Sequence, residues 1–343
     1  MASTSLLEFN KTGLYCPQAN VYIDPWQPVE KAIITHAHSD HARWGHKSYL
    51  AHIHSASVLK TRLGADIHLE TIPYLKSVYI NGVKISLHPA GHIYGSAQVR
   101  LEYKGEVWVI SGDYKLENDL ISEPFEPVAC DVFVTESTFG LPIYKWKPQK
   151  EVFEEINSWW KQNQEQGITS VIFGYSLGKA QRIIRNIDHS IGPVFVHGAI
   201  FNCSESLIND GAPLPVLEKA GIEAEKNFYN KSLIIAPPSA LGSPWMKKFY
   251  PYRTAIASGW MNLRGAKRRR AIDRGFILSD HADWPGLLSA IEAVGAERIY
   301  VTHGYTAAFS RYLNEKGYWS AEVQTQFEGE LSEIKEAFSD TNI

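Results

Sequence analysis

The run His36-Ala37-His38-Ser39-Asp40-His41 puts four side chains able to ligate a metal within six residues, directly after the apolar stretch Ala32-Ile33-Ile34. Imidazole nitrogen with one carboxylate oxygen suits zinc, or a neighbour such as manganese, better than calcium or magnesium, which prefer all-oxygen cages. Four ligands so closely spaced cannot all reach one ion without strain. The expected division is His36 and His38 on one cation and Asp40 and His41 on another, a paired hydrolytic centre. The scattered His46, His52, His54, His68, His88 and His189 are expected to be ordinary hydrogen-bonded histidines.

Further candidates recur where strands are expected to end. Asp24 closes Tyr22-Ile23-Asp24, His92 lies in the glycine-rich Pro89-Ala90-Gly91-His92-Ile93-Tyr94-Gly95-Ser96, and Asp113 closes Val107-Trp108-Val109-Ile110-Ser111-Gly112-Asp113. Loops behind strand ends are common places for sites. Asp113 has what a bridging ligand needs, two oxygens that can each face a different cation, ~3.5 to 4 Å apart in paired sites.

The elements that must position these groups fall into three stretches. Up to residue 144 the chain reads as short strands with tight turns and one helix, about Ser55 to Leu63. Two hairpins stand out, Val78 to Leu87 around Asn81-Gly82 and Ala97 to Ile110 around Lys104-Gly105. From Lys145 longer helical patterns alternate with apolar strands: a helix over Glu151 to Gln166, then strand, helix, strand, a helix from about Glu205, and a strand over Leu233 to Ala236. That alternation predicts a small parallel-sheet domain with crossover helices, inserted over 145–255. After Ala255 histidines at strand ends return, in Ser279-Asp280-His281-Ala282-Asp283 and Arg298-Ile299-Tyr300-Val301-Thr302-His303-Gly304. Helices are expected over Leu287 to Val294, Tyr305 to Lys316 and Leu331 to Phe338, with a strand near Ala321 to Phe327.

Composition narrows the class. The 343 residues, 44% hydrophobic and 21% charged, describe a globular protein that can bury a sizeable core. With 34 basic and 37 acidic residues the net charge is −3, so a nucleic-acid partner would have to be met by a local basic patch. Cys16, Cys130 and Cys203 form no CxxC pair, which argues against a disulfide framework or a thiolate metal site. No signal peptide and no apolar run near ~20 residues is visible, so no membrane association is expected and the compartment expected is the cytoplasm.

Together, His36-x-His38-x-Asp40-His41, His92 and Asp113 resemble the metallo-β-lactamase superfamily. Thr135-Glu136-Ser137-Thr138-Phe139-Gly140, Ser279-Asp280-His281-Ala282-Asp283 and Thr302-His303-Gly304 resemble the extra motifs of the β-CASP nucleases, the group containing Artemis and ribonuclease J. Gly174-Tyr175-Ser176-Leu177-Gly178-Lys179-Ala180-Gln181 and Ser258-Gly259-Trp260-Met261 are similar to the bacterial ligase-associated DNA exonuclease subfamily, also described as mRNA 3′-end processing factors.

The resemblance implies an α/β fold, a metallo-β-lactamase αββα sandwich split over 1–144 and 256–343, with a β-CASP cap over 145–255. It implies two divalent ions, zinc or manganese. His36, His38 and His92 would hold one and Asp40, His41 and His303 the other, with Asp113 bridging and Asp24 orienting ligand imidazoles. The catalytic set would be Asp40, Asp113, Glu136 and His281, the last two handling the scissile phosphate and the leaving oxygen.

For the substrate, the resemblance implies a metal-dependent DNA exonuclease acting in repair on single strands or ends, from 5′ to 3′, with an ATP-dependent DNA ligase and a helicase as partners. The alternative is an RNA-processing nuclease. In the Artemis branch the position matching His303 is usually valine, whereas RNA-acting members keep histidine. A small-molecule metallohydrolase is a further alternative.

Arg264, Lys267 and Arg268, followed by Arg269, Arg270 and Arg274, are expected to meet phosphates. Ser176, Ser239 and Ser243 are candidates to hold a terminal phosphate, as cap hydroxyls do in the family. Trp260, with Tyr175, Trp245 and Trp284, is a candidate to stack on bases. Leu177-Gly178-Lys179-Ala180 lacks the spacing of a phosphate-binding loop and is not expected to bind a nucleoside triphosphate.

Overall fold

The computed structural model describes residues 5–221, 228–263 and 272–327. Six short strands make the first sheet in sequence order: β1 (Glu8–Phe9), β2 (Leu14–Cys16), β3 (Val21–Ile23), β4 (Lys31–Ile33), β5 (Ser48–His52) and β6 (Leu69–Ile72). The second sheet takes β7 (Ser77–Ile80), β8 (Val83–Pro89), β9 (Ala97–Tyr103), β10 (Glu106–Ile110) and β11 (Val132–Ser137), then β18 (Arg298–Gly304) and β19 (Trp319–Glu322), in the order β19-β18-β11-β10-β9-β8-β7. Both expected hairpins form. Asn81-Gly82 and Lys104-Gly105 each have positive φ at both residues, the turn that matches strand twist.

Side-chain alternation along the strands turns these two sheets into layers. Ile33 of β4 joins Val21, Ile23, Val99, Trp108 and Val134 in the core between the sheets, while neighbouring Ala32 faces Val58, Leu59 and Leu63 of helix α1 (Ala56–Leu63). On the far side Val109, Phe133, Ile299 and Val301 pack against two helices, Trp284–Val294 and Thr306–Glu315. The result is an αββα sandwich.

The third sheet is wholly parallel, as an alternation of strands and crossover helices requires. It comprises β12 (Thr169–Phe173), β13 (Val194–Val196), β14 (Glu218–Lys219), β15 (Leu233–Ala236), β16 (Tyr252–Ala257) and β17 (Arg274–Phe276), in the order β14-β13-β15-β12-β16-β17. Helices Gln149–Glu165, Lys179–Asn186 and Gly198–Asn209 cover it. The expected boundary at 255 falls inside β16, and this sheet takes a further strand up to Phe276.

Two expected element limits differ from the structure. The helix anticipated near Glu205 begins at Gly198, because the His197 ring accepts from the Ala199 N–H and caps it, a role usually read from Ser, Thr, Asn or Asp. Among the described residues the last strand is Trp319–Glu322 rather than Ala321 to Phe327, since the chain then leaves the sheet and Phe327 stacks on His41, ring centroids 4.3 Å apart. The helix expected over Leu331 to Phe338 lies outside the described residues.

Buried His46 and His52 and half-buried His88 are expected to make the fold acid-sensitive. Burial pushes His46 and His88 down to about 4 and His52 to about 3. Their folded pKa values lie below the unfolded value of about 6.5, so the stability they give is full above 6.5 and is lost as pH falls toward 4. The melting temperature of chelator-treated protein should fall between pH 7 and pH 5, where most carboxylates remain ionised, with proton uptake on unfolding. A flat melting temperature across that window would contradict this.

Candidate metal centre

The centre forms where strands of all three sheets end. β3 leads into Asp24, β4 into His36, β8 into His92, β10 into Asp113 and β17 into His281, while Glu136 and His303 lie in the last turns of β11 and β18. A bulge sets the last two. Thr135 pairs with Val301 and Ser137 with Gly304, so Thr302 and His303 together oppose Glu136.

The bulge needs its glycine. Gly304 has φ +89°, and a Cβ there would lie 2.2 Å from the Ser137 carbonyl oxygen. Gly304→Ala is expected to cost about 2 kcal/mol or more and to loosen His303. Thermal melting with bound-metal analysis checks it, and unchanged values in both would refute it.

Five imidazoles surround the Asp113 carboxylate, and for each the hydrogen-bond network assigns one nitrogen as a donor away from it. His36 Nδ1–H donates to Thr35 Oγ1 (3.0 Å), whose own hydroxyl donates to Asp24 (2.5 Å). His41 Nδ1–H donates to the same Asp24 oxygen (2.7 Å), so Asp24 holds the rings of both His36, through Thr35, and His41. His92 Nδ1–H donates to the Asp280 carbonyl (2.8 Å), and His38 Nε2–H to the Leu177 carbonyl (3.0 Å). His303 Nδ1–H donates to Thr302 Oγ1 (3.1 Å), which itself donates to the Thr135 carbonyl.

The other five nitrogens point inward. His36 Nε2 and His41 Nε2 each lie 3.5 Å from Asp113 Oδ2, His92 Nε2 3.8 Å from it, and His303 Nε2 2.8 Å from Asp113 Oδ1. His92 Nε2 and His38 Nδ1 stand 3.1 Å apart. Buried His36 Nε2 and His41 Nε2 make no hydrogen bond, a costly state unless something else binds them. Converging lone pairs on a buried carboxylate are what a cation requires, and imidazole with carboxylate is a donor set for zinc or manganese. The residues fit the group.

Among the described residues four groups each bring their donor atoms within 4.8 Å of one another. His36, His38, His92 and Asp113 form one candidate ligand set and His41, Asp113 and His303 a second, with Asp113 common to both, while His281 joins His92 with Asp280 and Asp113 with Glu136 in the other two. Asp40 stands outside them, its Oδ2 3.7 Å from His41 Nε2.

Beside the centre, His281 Nδ1 lies 2.9 and 3.1 Å from the two oxygens of fully buried Glu136, which also accepts the Tyr114 N–H (2.8 Å). The same ring nitrogen is 4.0 Å from Asp113 Oδ2.

Charge balance follows from this crowding. Burial opposes charging of His41, yet Asp113, Asp40 and Asp24 lift it to about 10. Burial likewise opposes His281, and Glu136 with Asp113 lifts it to about 10. Burial would raise the Asp113 carboxyl, but His41, His303 and His281 hold it well below the usual range. His36 and His92 are pushed down by burial first and then by the neighbouring imidazoles. The carboxylates thus demand positive charge at this point, as protons or as a cation.

The expected substrate residues are dispersed. Ser176 precedes Leu177, whose carbonyl holds His38, so it is a half-buried cap serine beside the centre. Ser243 donates to the Ala240 carbonyl (2.8 Å) and Ser239 is exposed. Trp260 is 7% exposed and packs against Phe139 and Tyr144, which leaves little open face for a base. Tyr175 and Trp284 are likewise buried, and Trp245 alone of the four is only half-buried. Arg264, Lys267 and Arg268 lie outside the described residues.

Sequence reasoning assigned no part to Thr35, Thr302, Lys179 or Asp280. The threonines had a signal, a Thr-His dipeptide at 35–36 and again at 302–303, in which the hydroxyl bonds the next ring.

No protein-family model matches the chain. It is 31% identical over 321 residues to a probable DNA ligase of Opitutus terrae, a match covering 92% of this chain and 31% of that protein. It is 29% identical over 122 residues to endoribonuclease YSH1 of Eremothecium gossypii, covering 35% of this chain and 16% of the relative. The chain therefore spans about a third of the first relative and less of the second. A crystal structure of a protein of unknown function from Enterococcus faecalis V583 superposes with a TM-score of 0.55 at 10% identity, over 86% of this chain and 79% of that one, a likeness of fold.

Proposed function

We propose, for a chain whose fold is the metallo-β-lactamase sandwich with a β-CASP cap, metal-dependent hydrolysis of nucleic-acid phosphodiester bonds. The observation that carries this is the five imidazoles turned on one buried carboxylate with the His281–Glu136 pair beside them. His36, His38, His92 and Asp113 would hold one divalent ion, and His41, Asp113 and His303 a second, with Asp40 near the latter. When bound, such a pair supplies charge neutralisation at the phosphoryl group and activation of water.

The chain's own groups do the rest. Glu136 occupies His281 Nδ1, which leaves Nε2 as the nitrogen that can give a proton to the departing oxygen. Glu136 and Asp113 keep that imidazole charged until it does so. Burial of the centre excludes bulk water, which strengthens both effects.

The substrate proposed is DNA, digested from ends in repair, with a DNA ligase as partner. The support is that a probable DNA ligase carries a segment similar to 92% of this chain. RNA processing is the second reading, favoured by His303 and by the similarity to an endoribonuclease. Matched end-labelled DNA and RNA strands, with manganese or zinc, separate the two. Faster digestion of DNA, in steps from an end, is expected; a large preference for RNA would overturn the DNA reading, and turnover of neither would overturn both.

A further inference from the structure

The helix Lys179–Asn186 of the third-sheet domain meets the centre with long cations that are buried rather than offered to a ligand. Lys179 is 1% exposed and Arg182 0%, a rare state for such side chains unless paired. Three residues apart, they share one face of the helix. Lys179 Nζ lies 3.2 Å from Asp280 Oδ1, and the Asp280 carbonyl accepts the His92 ring N–H. Arg182 Nη2 lies 3.0 Å from Asp119 Oδ2 and donates to the His92 carbonyl (3.2 Å), while Nη1 donates to Gln149 Oε1 (3.1 Å). Both cations therefore end on His92, one through the residue that holds its ring and one at its backbone.

The same turn of chain reaches a second imidazole, since the Leu177 carbonyl holds His38. Gly178 makes the approach possible. Its φ is +93°, and a Cβ there would lie 2.6 Å from Ile93 Cγ2 and 2.9 Å from Asp280 Oδ2. Elsewhere the two domains meet through an independent contact, where the Asp210 carboxylate accepts from the Ser57 N–H (2.7 Å) and hydroxyl (2.6 Å).

We propose that Lys179 and Arg182 are positioning residues of the metal centre, orienting His92 through Asp280 and through the His92 carbonyl. The cap then completes the ligand geometry as well as covering it. The inference rests on the metal-centre reading above.

Zinc affinity of chelator-stripped protein, measured by competition with a chromogenic chelator, tests it. The variant is Lys179→Met/Asp280→Asn, because Lys179→Met alone removes the cation that faces a buried carboxylate. Its zinc affinity is expected to fall about 10-fold or more, the usual cost of losing an orienting partner. Asp210→Asn, which weakens a separate contact between the domains, is expected to lower the melting temperature and leave zinc affinity unchanged. Should the double variant not fold, Asp280→Asn alone serves, and the same loss is expected. Wild-type zinc affinity in a folded Lys179 or Asp280 variant overturns the positioning role and leaves the metal centre standing. A wild-type protein that binds no divalent ion overturns both.

Discussion

Asp113→Ala protein is expected to lose phosphodiester hydrolysis by about 1,000-fold or more and to retain less than the full complement of divalent metal. Asp113 is the one carboxylate common to both ligand sets, with its oxygens 2.8 to 3.8 Å from four inward-facing ring nitrogens. Its removal would take a ligand from each proposed cation and the anion that balances three imidazoles. A loss of several kcal/mol of transition-state stabilisation is what metal sites of this type supply, and each ~1.4 kcal/mol is a factor of ten. Metal analysis beside steady-state turnover is the measurement. Wild-type metal content together with near wild-type turnover would remove Asp113 from the account.

His281→Ala should behave differently, with kcat falling about 100- to 10,000-fold while bound metal stays at the wild-type level. The His281 ring is tied to Glu136 at 2.9 Å and lies 4.0 Å from Asp113, and the part proposed for it is proton transfer at the leaving oxygen. A substrate with a good leaving group needs less of that proton, so bis-nitrophenyl phosphate should lose less than an oligonucleotide does. Equal losses on both substrates, or loss of metal with the imidazole, would mean His281 belongs to the ligand set. Glu136→Gln is expected to show the same pattern in milder form, since the Tyr114 N–H keeps a partner in the amide oxygen.

How much of this was legible in the sequence depends on the range over which each feature is decided. Asn81-Gly82 and Lys104-Gly105 announced their hairpins because a two-residue turn with positive φ is a local property. The candidate ligands His36, His38, His41, His92 and Asp113 were legible as types and spacings at strand ends, and His303 through the resemblance; the structure brings their donor atoms together. Asp40 was grouped with His41 on sequence proximity and on the family resemblance, and its Oδ2 lies 3.7 Å from His41 Nε2.

What stayed hidden is decided across the chain. The bulge opposite Glu136 depends on the register of β11 against β18, more than 160 residues apart in sequence. Trp260 reads as a stacking platform until Phe139 and Tyr144 are seen to bury it. Lys179 and Asp280 lie far apart in sequence, and nothing in either local stretch says that a lysine at a helix start will be buried against an aspartate beside the centre.

The most direct test is the metal content of the intact protein, purified without added metal or chelator, with anomalous scattering to locate what is bound. Two divalent ions per chain are predicted, one within reach of His36, His38 and His92, one within reach of His41 and His303, and both against Asp113. A protein that takes up no divalent ion, or holds one away from Asp113, would contradict the account.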